Sequence, residues 1–137
     1  MSTTMPVVLY VEDDPASRDI MVLVLREIMG CDAYHIFEDS ENFMARVKAL
    51  APQPNIILLD IHVHPYTGFE MLSMLRQEAA FKQIPVIALT ASVMNEEVQR
   101  LQTAGFNGIF AKPVDIDTFP DTIAGILQGK SQWHITN

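Results

Sequence analysis

Apolar residues gather along the chain in short unbroken runs rather than in strict alternation. The runs Val7 to Val11, Ile56 to Leu59, Pro85 to Leu89 and Ile109 to Ala111 are rich in β-branched residues, and a weaker one, Ala33 to Phe37, lies between the first two. An unbroken apolar run predicts a strand covered on both faces, as in a parallel sheet packed between helices. Between the runs the period changes. Met21, Val24, Leu25 and Ile28 follow the i, i+3, i+4, i+7 stripe of a helix, with Gly30 placed to stop it. Phe43, Val47 and Leu50 repeat the stripe before Pro52, Met94, Val98 and Leu101 repeat it before Gly105, and Phe119, Ile123, Ile126 and Leu127 carry it in the last segment. Asp14 ahead of Pro15 predicts an N-cap with proline at the first helical position. Thr67 and Glu70 have capping-box spacing, which predicts a helix from just after Gly68 to about Ala80. Pro120 is tolerated in the final helix only if that helix starts late, with Asp117 as its cap, or kinks.

Five strand-helix pairs without an internal repeat predict one doubly wound α/β domain over residues 1–137, with a core of about 6–128 and a short tail, 129–137. Right-handed crossovers then give a five-stranded parallel sheet of order 2-1-3-4-5, the flavodoxin-like arrangement. No apolar run approaches the ~20 residues of a bilayer crossing. The first residues also lack a basic region followed by a long apolar stretch, so a cytoplasmic protein with no membrane partner is expected. A net charge of −8 with no Lys/Arg cluster argues against direct nucleic-acid binding. Cys31 is the only cysteine, which removes an internal disulfide and a Cys-based zinc site; it reads as a small, half-buried side chain at a helix end.

In such a sheet, ligands bind beyond the carboxyl ends of the strands. There stand Glu12 and Asp13 after the first run, Asp60 after Ile56 to Leu59, Thr90 after Pro85 to Leu89, and Lys112 after Ile109 to Ala111. Glu38, Asp39 and Ser40, after the weaker run, read as a turn and helix cap. Three carboxylates at one edge with a lysine opposite cost repulsion and desolvation unless a cation sits among them. Oxygen donors without sulfur favour a hard ion, Mg²⁺ over zinc, with Mn²⁺ as a substitute. A carboxylate can also attack phosphorus, and phosphoryl transfer asks for positioning and charge neutralisation, which Lys112, the Thr90 hydroxyl and a metal can supply. Each residue alone reads equally well as a cap, a turn former or a surface cation; their joint occurrence at four strand ends is the argument. His62-x-His64 lacks a third ligand and reads as a loop with two exposed imidazoles, and Trp133 as a loosely packed terminal residue.

With these residues in place, the stretches VVLYVEDDP, IILLDIHVHPYTGFEML, IPVIALTA and GIFAKPVD resemble the receiver domain of two-component response regulators, over about residues 6–128. The resemblance implies that Asp60 accepts a phosphoryl group and that Mg²⁺ is held by Asp13, Asp60 and the backbone carbonyl of His62, with Glu12 acting through water. It implies that Thr90 and Lys112 stabilise the phosphoryl group and that the Lys112-Pro113 peptide is cis. The implied phosphoryl source is a sensor histidine kinase or histidine phosphotransfer protein. The output is contact with an unknown downstream protein through the fourth helix, fifth strand and fifth helix, where Asn95, Glu96 and Gln99 are expected to face outward; a stand-alone regulator is expected.

The departures are specific. Family loops after the acceptor often read Met-Pro and end in Asp-Gly or Asn-Gly; here His64 takes the proline slot, Pro65 follows, and Thr67 precedes Gly68. Ile109 stands where many receivers place a Tyr or Phe switch, and Phe110 beside it points to the opposite face. The resemblance implies that His62 and Ser92 flank the reacting centre and bear on the lifetime of the phosphorylated form. Two rival readings are weaker. An aspartate-nucleophile phosphatase needs a second acid where His62 stands, and a flavin carrier needs a phosphate cradle where Glu12, Asp13 and Asp14 would repel it.

Overall fold

A computed structural model describes residues 6–91 and 94–129; the expectations for Ser92 and Trp133 lie outside the described residues. In chain order the elements are β1 (Val8–Val11), α1 (Pro15–Leu23), β2 (Tyr34–Phe37), α2 (Phe43–Lys48), β3 (Ile56–Asp60), α3 (Gly68–Arg76), β4 (Val86–Thr90), α4 (Asn95–Ala104), β5 (Gly108–Ala111) and α5 (Phe119–Leu127). The strands form one parallel sheet of order β2-β1-β3-β4-β5, as the apolar runs predict. Alternate strand residues feed two separate cores. Leu9, Val11, Ile57, Leu59, Val86, Ala88 and Ile109 pack with α2, α3 and α4, whereas Val8, Tyr10, Ile56, Leu58, Ile87 and Leu89 pack with α1 and α5. Every residue of β1, β3 and β4 is buried. Burial on both faces is why these runs are apolar without alternation.

The local signals place the helix starts. The Asp14 carboxylate accepts the Ser17 N–H at 2.9 Å, with Pro15 opening α1. Thr67 and Glu70 close a reciprocal capping box at α3. Gly105 ends α4 with φ of +106°, a conformation that a side chain would strain.

Other boundaries differ from expectation. The first helix widens into a π-helical turn, Val24–Ile28, before Gly30. Helix α3 stops at Arg76, and a separate 3₁₀ turn, Ala79–Phe81, follows. There the Arg76 guanidinium binds the Phe81 and Ile84 carbonyls at 3.1 and 2.8 Å, which ties the turn to the approach of β4. Helix α5 starts late, but its N-cap position is Thr118 rather than Asp117. The Asp115 carbonyl receives the Thr118 and Phe119 N–H groups, so the chain completes one turn before the helix begins, and Pro120 falls in the first turn where its missing N–H costs nothing. Cys31 is buried rather than half-buried. Ser40 does not cap α2; its hydroxyl serves the loop between β3 and α3.

Candidate functional site

Parallel pairing brings the carboxyl ends of β1, β3, β4 and β5 to one edge of the sheet. Val11 pairs with Leu59, Asp60 with Leu89 and Thr90 with Ala111. The residues that follow or end these strands therefore meet, although Glu12 and Lys112 are 100 positions apart in sequence. Glu12, Asp13 and Asp60 each offer a carboxylate oxygen, all within 4.8 Å of one another; among the described residues no other group of three or more His, Cys, Asp or Glu could hold a metal ion. Glu12 and Asp60 are buried and Asp13 is exposed, so the cluster opens to solvent on the Asp13 side.

The Lys112 ammonium bridges the two buried acids, 2.9 Å from Glu12 Oε1 and 3.3 Å from Asp60 Oδ2. One cation against three carboxylates leaves the pocket negative. Burial, followed by the Glu12 carboxylate beside it, pushes the Asp60 carboxyl up to about 6, against the pull of the His62 N–H and of Lys112. Burial also works against charge on Glu12, but the hydrogen bonds it shares with Asp60, Tyr10 and Lys112 outweigh it and hold this group below the usual carboxylate range. Lys112 loses hydration too, yet the two acids raise its affinity for the proton. The pocket thus stores a repulsion that one more positive charge would relieve. Its donors are all oxygens, and one side is open to solvent. That set fits a hard divalent cation.

The remaining predicted residues lie around this centre. Thr90 is fully buried at the end of β4, and its carbonyl accepts the Lys112 N–H at 2.9 Å. The His62 N–H donates to Asp60 Oδ1 at 3.1 Å, while the imidazoles of His62 and His64 lie among exposed residues and join no metal-binding group. The Lys112-Pro113 peptide is cis, as is His64-Pro65. Ile109 is buried on the α4 side, while Phe110 faces the other core with its ring 4.7 Å from that of Phe119, so the two side chains are not interchangeable.

Two residues at the site escaped the sequence reading. Tyr10 is buried and its hydroxyl donates to Glu12 Oε1 at 2.7 Å, a bond that together with burial holds its own proton tightly. The signal was available: residues two apart on a strand share a face. Arg18 donates to the Glu12 carbonyl at 2.9 Å and pairs with Glu38 at 3.4 Å, which fixes the end of β1; no local pattern announces it.

The fold and the pocket together define a doubly wound α/β domain with an acidic pocket, suited to a hard cation, at the carboxyl edge of its sheet. Residues 8–124 match the family described as the response regulator receiver domain, and the chain belongs to that family, in which signalling runs through two-component phosphorelays and implies a histidine kinase as partner. The polar-differentiation response regulator DivK of Brucella ovis is 27% identical over 120 residues, covering 88% of this chain and 94% of the relative. Among solved structures, the chemotaxis response regulator CheY4 of Vibrio cholerae superposes with a TM-score of 0.78 at 24% identity, over 90% of this chain and 99% of that one. The Mn²⁺-bound form of response regulator Rcp1 superposes with a TM-score of 0.70 at 28% identity, over 90% and 93% of the two chains.

Proposed function

We propose that Asp60 is the phospho-acceptor of this receiver, and that it is charged from a phosphohistidine on a sensor histidine kinase or histidine phosphotransfer protein. One observation carries this reading: a buried carboxylate at the end of β3 sits 3.3 Å from an ammonium and within 4.8 Å of two further carboxylates. An Asp60 oxygen attacks phosphorus, the O–P bond forms as the P–N bond breaks, and the imidazole leaves with that electron pair and takes up a proton. Lys112 leaves its place between Glu12 and Asp60 for a phosphoryl oxygen, and the Thr90 hydroxyl donates to another. Asp13, Asp60 and the His62 carbonyl would hold Mg²⁺, or Mn²⁺ in its place, with Glu12 contributing indirectly. The ion supplies positive charge against the oxygens of the transferring group.

One domain of about residues 6–128 carries this chemistry in the cytoplasm, and its output is a protein contact. Movement of Thr90 and Lys112 biases the surface of α4, β5 and α5, where Asn95, Glu96 and Gln99 are exposed. Ile109 offers no aromatic ring to rotate at that position, which supports backbone and loop movement as the carrier of that bias. The acceptor is tested by borohydride reduction of the phosphorylated protein followed by peptide mapping. Conversion of residue 60 to homoserine is expected; conversion of Asp13 or another carboxylate would overturn the assignment.

A further inference from the structure

Ser40 stands two residues ahead of Asn42, the N-cap position of α2, where Asn42 adopts φ of 50° without a side-chain cap. It is fully buried, and it is bound to a different element altogether. Its hydroxyl donates to the Tyr66 carbonyl and accepts the Tyr66 N–H, both at 2.7 Å, and its own N–H donates to the His64 carbonyl at 3.1 Å. Three hydrogen bonds from one residue therefore hold the far part of the loop that follows Asp60. The near part is closed by the Gly68 N–H on the Ile61 carbonyl at 3.0 Å. Between these two ties lies His62, whose N–H reaches Asp60 Oδ1.

We infer that Ser40 is a positioning residue for the cation site, acting through the β3–α3 loop on the peptide of His62. The inference rests on the reading that the His62 carbonyl is a metal ligand. A loop without helix or strand ladder must find partners for its backbone elsewhere. A serine hydroxyl is donor and acceptor at once, so it can satisfy both groups of one residue; alanine satisfies neither. With Ser40 present the loop is ordered before the ion arrives. Without it, ordering is charged against binding, and affinity for the ion falls while the chemistry of the loaded site persists.

The test is Mn²⁺ binding by electron paramagnetic resonance on wild type, Ser40→Ala and Ser40→Cys, with amide exchange at Tyr66 and the rate of phosphorylation by a small phosphodonor as companion readouts. In Ser40→Ala the Tyr66 amide exchanges faster, and the Mn²⁺ dissociation constant rises about tenfold, the scale on which outer partners of metal ligands act. The phosphorylation rate at saturating metal stays that of wild type. Ser40→Cys, similar in size with a weak donor, lies between, which keeps the test decisive should the alanine variant fold poorly. Affinities in both variants equal to wild type, or a rate that drops at saturating metal with the dissociation constant unchanged, would overturn the role of Ser40. A wild-type protein that binds no Mn²⁺ would instead sink the metal reading and this inference together.

Discussion

At the scale of single residues, the proton on Asp60 reports the state of the pocket. Its carboxyl, pushed up to about 6 by burial and then by Glu12, keeps a proton over a range where the unfolded chain, near 3.8, has lost it. The unfolded state binds fewer protons there, so the Asp60 contribution to stability is present below the unfolded value and is lost as pH rises through the folded one. Metal-free Asp60→Asn escapes this loss. Relative to wild type it should gain about 1–3 kcal/mol between pH 4 and pH 7, measured by urea denaturation across that range. A difference that does not change with pH contradicts the strain assigned to Asp60. The acids and the lysine were legible in the sequence because strand ends point to one edge. Tyr10 was legible too, two residues ahead of Glu12 on the same strand face, but the Arg18 guanidinium was not, since its contact depends on side-chain reach within the folded pocket.

At the scale of elements, the start of α3 lies close against the end of β3 at Gly68. A Cβ on Gly68 would lie 2.7 Å from Ile61 Cδ1, 3.0 Å from Ile61 Cα and 3.3 Å from the Asp60 carbonyl. The methyl can swing away; the backbone atoms cannot without moving Asp60. Gly68→Ala should cost about 1–3 kcal/mol in stability, read by thermal unfolding, and slow phosphate uptake on the folded fraction. Wild-type stability and rate in that variant would show that the close approach does not matter. Helix starts were readable because their signals are local, as at Asp14 and at Thr67 with Glu70. Although the late start of α5 was readable from Pro120, the end of α3, the cap position of α5 and the role of Ser40 were not. Each is decided by a partner outside the element's own apolar stripe: the Ile84 carbonyl for Arg76, the Asp115 turn for α5, and Tyr66, 26 residues away, for Ser40.

At the scale of the molecule, four strand ends from across the chain meet at one edge, where three carboxylates after β1 and β3 outnumber the one ammonium after β5, held between two buried layers of apolar side chains. Among the described residues no helix is long and apolar enough to cross a membrane. A ligand bound only by the folded state stabilises by mass action, about 2.7 kcal/mol at a hundred times its dissociation constant. Mg²⁺ should therefore raise the melting temperature of wild type, and Asp13→Asn should lose most of that rise in differential scanning calorimetry. An equal rise in the variant would move the ion away from this pocket.

In the proposed function this pocket captures a phosphoryl group on Asp60 with the help of a divalent ion. Intact-mass analysis after incubation with a small phosphodonor, with and without Mg²⁺, tests it most directly on wild type and Asp60→Asn. A single phosphate adduct that needs Mg²⁺ and is absent from the variant is the predicted result. An adduct of equal yield in the variant, or one indifferent to Mg²⁺, would contradict it.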